Sequence, residues 1–175
     1  MAHRLPLLKR FLLLSLGLGL LLTGLVATAR AEVVNFKELL PFVEIKLPGW
    51  TLDGQPSGLT MREGDVMVSE ARATYRAADK TLEVTVMDFL GKPFPFLGEG
   101  QLLELDSADE KVHSTTVQDF KAIESFRPRE HHGELNIVVA NRFWAKVDGD
   151  GIDSPEVLKA AAAQMDLKKL AALAK

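Results

Sequence analysis

Glu130-His131-His132-Gly133-Glu134 is the densest run of side chains in this sequence that could do chemistry. Imidazole nitrogens and carboxylate oxygens are good ligands for zinc and related ions. Glu130, His131, His132 and Glu134 are therefore the candidate metal ligands. Their spacing weakens that reading, because adjacent residues on a strand point to opposite faces. The His-x-x-x-His spacing that brings two rings to one ion on a helix is absent. His113 is the remaining histidine of the chain beyond its N-terminal segment. A solvated hairpin turn is the first expectation here, and a metal site the second.

Asp148-Gly149-Asp150-Gly151-Ile152-Asp153 hints at a calcium loop. Counted from Asp148, however, Ile152 stands at the fifth position, Asp153 at the sixth where the loop needs glycine, and Lys159 at the twelfth where it needs glutamate. A turn followed by a helix cap explains the acids. No serine sits in a Gly-x-Ser-x-Gly elbow, and neither a phosphate loop nor a dinucleotide fingerprint is present. Nothing in these motifs asks for catalysis or a cofactor.

The aromatic stretch Phe89-Leu90-Gly91-Lys92-Pro93-Phe94-Pro95-Phe96 is the other feature with functional content. Its prolines and glycines prevent a long regular element. Phe94 and Phe96, with Trp144 on the sheet face away from the terminal helix, are candidate contacts for a protein partner or an apolar ligand, since exposed aromatics mark such sites. The bland alternative is a loop that closes the core.

The elements that must position these groups are legible from periodicity. Leu135, Ile137 and Val139 alternate with polar or smaller neighbours, Ala140-Asn141 interrupts, and Phe143, Ala145 and Val147 resume. Period-two apolarity predicts a hairpin. Asp148-Gly149-Asp150-Gly151 is expected to stop the second strand. A helix should then run from a cap at Asp153 or Ser154 to the C-terminus, burying Val157, Leu158, Met165 and Leu170. A second hairpin is predicted from Val66 to Val86 around Ala77-Ala78-Asp79-Lys80, one face apolar and one charged. Val112–Val117 and Phe120–Phe126 read as strands, with Phe120, Ala122, Glu124 and Phe126 in phase. A short helix over Glu32–Leu40, capped by Asn35, should end or bend at Pro41. Asp53 to Gly58 reads as a loop and Gln101 to Leu105 as a helical turn. The sum is an α+β domain: one antiparallel sheet of about five to seven strands, with the C-terminal amphipathic helix packed on one face.

The N-terminus bounds the setting. Arg4, Lys9 and Arg10 precede an apolar run from Phe11 to Val26, and Ala27-Thr28-Ala29-Arg30-Ala31 offers small-x-small sites. That order describes a secretory signal peptide over residues 1–31, leaving 32–175 as a single α+β domain. The run is short for a bilayer span of about 20 residues; an uncleaved membrane anchor is the alternative. The expected location is periplasmic or extracellular. The chain has 21 basic residues, four of them in that segment, and 24 acidic ones, all after it, so the mature charge is 17 − 24, or −7. An acidic surface opposes nucleic acid and anionic lipid. With no cysteine, stability must come from the core.

The Asn141-Arg142-Phe143 hairpin followed by a capped amphipathic helix resembles small uncharacterised exported bacterial proteins, and in outline is similar to the PsbP/Mog1-like α+β architecture. The resemblance implies a fold and carries no residue roles. The expected function is an exported non-catalytic protein that binds a protein partner or an apolar ligand. The alternative is an exported enzyme or metal-binding protein using the Glu130–Glu134 turn.

Overall fold

Apolar residues alternate through Ala71, Ala73 and Tyr75, then through Leu82, Val84 and Val86, and all six are buried. Their strands lie within one sheet in the computed structural model, which describes residues 32–64, 66–90 and 104–174. The strands are β1 (Thr51–Leu52), β2 (Ser57–Glu63), β3 (Val66–Ala77), β4 (Lys80–Asp88), β5 (Glu104–Asp106), β6 (Lys111–Val117), β7 (Phe120–Arg127), β8 (His132–Val139) and β9 (Phe143–Asp150). Their order is β1-β3-β4-β9-β8-β7-β6-β5, with β2 also on β3, and every pairing is antiparallel. The described residues from Glu32 onward belong to one compact unit.

Tight turns hold the register. Gln118 and Asp119, between β6 and β7, both have positive φ (49° and 72°), as do Ala140 and Asn141 between β8 and β9 (51° and 52°). Left-handed backbone at consecutive turn residues matches the right-handed twist of the strands they join.

One sheet face carries the core. Leu135, Ile137, Val139, Phe143, Ala145 and Val147 share a buried cluster with Leu39 and Val43 of α1 (Phe36–Val43), Leu158, Ala161 and Ala162 of α2 (Glu156–Gln164), and Leu167 and Leu170 of α3 (Leu167–Ala171). Gly133 and Gly149 face each other across β8 and β9 on this side. A Cβ on either would come within 3.1 and 3.0 Å of Leu158, so the missing side chains make the seat for that leucine. The opposite face presents Glu70, Arg72, Glu83, Asn136, Trp144 and Lys146.

Several expectations change. Among the described residues the strand count rises to nine: Ser57–Glu63, which includes part of the expected loop, pairs along β3, and Glu104–Asp106, expected in a helical turn, pairs with β6. Residues 101–103 lie outside the described residues. β9 continues through Asp148-Gly149-Asp150 because β4 and β8 pair it on both sides, and Gly149 serves packing there rather than a turn. The terminal helix breaks at Met165, whose extended backbone (ψ 138°) lets its side chain reach the core; Asp166 then caps α3, accepting from Lys169 N at 3.0 Å. Val157 is only partly buried.

Pro41 does not end the first helix, which continues to Val43 with Asn35 as its cap. Interior proline costs about 3 kcal/mol. Leu39, Phe42 and Val43 are almost wholly buried, and each such side chain contributes about 1.5–3 kcal/mol, so burial wins.

Candidate metal centre

Side chains two apart on a strand share a face, and that rule selects among the residues of the histidine turn. His132 and Glu134 open β8 on the face away from the helices. Across the ladder, His132 stands opposite Asp150 and Glu134 opposite Asp148. One ligand atom from each of His132, Glu134 and Asp148 can be chosen so that all lie within 4.8 Å of one another. His131 and Glu130 are elsewhere. His131 adopts φ 52° in the turn, with Nδ1 3.4 Å from Asp153, and Glu130 pairs with Arg127 at 3.5 Å.

Two carboxylates directly opposite on neighbouring strands repel, and cations flank this pair from both ends. Lys146 Nζ lies 2.7 Å from Asp148 and 3.4 Å from Glu134. His132 lies 3.4 Å from Glu134 through Nε2, and 3.9 Å from Asp148 and 2.8 Å from Asp150 through Nδ1. With carboxylates at both ring nitrogens, the imidazole is placed to donate twice, as its protonated form does. Burial alone would lower the His132 pKa, but hydrogen bonds from its ring to Asp150 and Glu134 and the nearby Asp148 charge raise it above the ordinary value. Burial would likewise raise Glu134 and lower Lys146. The Lys146 charge and the His132 and Asn136 hydrogen bonds hold Glu134 low, and Asp148 and Glu134 hold Lys146 high.

The row continues through Asn136 to Trp144. Trp144 Nε1 donates to Asn136 Oδ1 at 3.0 Å, and Asn136 Nδ2 approaches Glu134 Oε2 at 3.5 Å. The Trp144 ring is partly buried and tilts against Phe89, with centroids 6.5 Å apart. Phe94 and Phe96 lie outside the described residues.

Two buried carboxylates escaped the sequence reading, although each left a signal there. Asp88 falls in phase with Leu82, Val84 and Val86, and is fully buried. It accepts from Arg142 Nη2 at 2.7 Å, Val34 N at 2.7 Å and Leu90 N at 2.9 Å, so it anchors the chain ahead of α1. Glu124 falls in phase with Ala122 and Phe126 and is 1% exposed. An acid in the buried phase of a strand is the mark both share.

No family model and no curated protein matches this chain. A crystal structure of an uncharacterised protein from Mycobacterium smegmatis aligns over 67% of this chain and 90% of that one, with 11% identity and a TM-score of 0.30. A likeness at that level assigns neither fold nor function. Among the described residues no helix is long and apolar enough to cross a membrane.

Proposed function

We propose that this is an exported, non-catalytic binding module, a single α+β domain with α2 and α3 across one sheet face, whose other face takes a divalent transition-metal ion through His132, Glu134 and Asp148. The observation that carries the reading is the convergence of one imidazole and two carboxylates within 4.8 Å on paired strands. Ligand atoms about 2.1 Å from a tetrahedral zinc stand about 3.4 Å apart, so separations within 4.8 Å need contract by no more than about 1.4 Å. One nitrogen with two oxygens suits zinc or manganese. Asp150, on Nδ1 of His132, would hold the ring with Nε2 turned to the ion, the support that ligating histidines ordinarily have. Lys146 is the resident counter-charge the ion must displace.

Calorimetric titration of chelator-treated protein with Zn²⁺ and Mn²⁺ tests this. The expected result is one saturable site per chain, weakened at least tenfold in His132→Gln and in Asp148→Asn. Binding should also tighten as pH rises, because the ion displaces a proton from His132. The reading fails if neither ion binds saturably, or if both variants bind as the parent does.

A further inference from the structure

The side chain that least fits a purely structural role is Glu124. It lies on the helix side of β7, 1% exposed, directly opposite His113 on β6. Its Oε1 is 3.1 Å from His113 Nε2. Its Oε2 is buried and receives no hydrogen bond. Lys159 of α2 brings Nζ to 3.2 Å from that oxygen, an ion pair without hydrogen-bond geometry.

Glu124 also helps line a cavity of about 290 Å³ at the start of α2. That volume is close to the lower end for small-molecule sites, about 300 Å³. Phe126, Pro128 and Pro155 give the lining an apolar side, and Lys111, His113, Asp153 and Ser154 a polar one.

Lys159 has somewhere else to go. Its Nζ is also 3.2 Å from Glu156 Oε1 at the helix surface, and its side chain is 37% exposed. The ammonium can leave Glu124 for Glu156 without losing an ionic partner.

We propose that this cavity is a binding site for a small ligand carrying a primary ammonium group on an apolar body, whose nitrogen takes the place of Lys159 at Glu124 Oε2. The ligand ammonium donates to the oxygen that now lacks a hydrogen bond, its apolar part lies against Phe126, Pro128 and Pro155, and His113 keeps Oε1. Lys159 is then an internal placeholder that neutralises the carboxylate when the cavity holds no ligand. The site is independent of the metal centre, which lies on the other sheet face.

The test uses 2-phenylethylamine and its anionic counterpart 3-phenylpropionate, followed by NMR titration of the full mature chain in the presence of chelator. The amine is expected to bind saturably and the acid not to bind. Glu124→Gln should weaken the amine at least tenfold. Lys159→Met should tighten it several-fold, because the competing ammonium is gone; a residue that merely supports the pocket would weaken binding or leave it unchanged. Thermal melts check that both variants fold, and if Glu124→Gln does not, the direction of the Lys159→Met effect still decides. Binding of the acid in preference to the amine, no binding of the amine at millimolar concentration, undiminished binding in folded Glu124→Gln, or weaker binding in Lys159→Met would each overturn the proposal.

Discussion

Tyr75 joins α1 to the sheet through one hydroxyl, which donates to Val43 O and accepts from Ile45 N, both at 2.7 Å. The side chain is buried, and burial raises its phenol above the ordinary value against the opposing effect of the Ile45 N–H. A raised folded value means that the folded state holds its proton more tightly than the unfolded state. The associated stability is therefore complete below the ordinary phenol pKa, about 10, and is lost as pH rises through the higher folded value. Denaturation midpoints measured from pH 8 to pH 11 should fall more steeply above pH 10 in the parent than in Tyr75→Phe. The variant itself should be less stable by about 1 kcal/mol at neutral pH for the lost hydrogen bonds. Parallel curves would show that Tyr75 does not govern alkaline unfolding.

At the scale of elements, α2 is seated by what the strands omit. Gly133 and Gly149 leave a shallow site for Leu158, and a Cβ at Gly149 would also press within 2.9 Å of Ile152 and 3.0 Å of Leu82. Leu158→Ala should cost about 2–5 kcal/mol. Gly149→Ala should cost about 1–3 kcal/mol through overpacking. Since both changes act on one contact, their costs should not add: in the Leu158→Ala background the new methyl gains room and its penalty should shrink. Chemical denaturation of the two single variants and the double variant measures this, and strict additivity would mean the seat is not shared. The helical turn is completed from the sheet side by Gln118, whose Nε2 donates to Ala162 O at 3.2 Å and to Met165 O at 2.8 Å.

For the whole molecule, the two sheet faces differ. One carries an apolar cluster that includes residues of α1, α2 and α3; the other is a row of paired charges whose metal-binding use is proposed above. The export reading belongs at this scale too, and rests on the basic, apolar and small-residue order of residues 1–31, which lie outside the described residues. Intact mass of native material is expected to match a chain beginning at Glu32. A mass that includes Met1, recovered from membranes, would make the segment an anchor instead.

Strand identity was legible in the sequence because alternation is a local consequence of the pleat: Ala71, Ala73 and Tyr75, or Leu135, Ile137 and Val139, declare their buried face without reference to any partner. Glu124 and Asp88 fall in that same phase, a signal the sequence reading did not take up, and phase alone does not say what would meet them. Partners are decided by docking between distant segments. Only the β8–β9 register sets Asp148 against Glu134, and only the seating of α2 brings Lys159 to Glu124. The break at Met165 and the continuation of α1 through Pro41 follow likewise from burial against the sheet, which outweighs local propensity. Period-two pattern is written residue by residue, whereas the charge constellations that could bind a ligand exist only once strands and helices far apart in the chain have packed together.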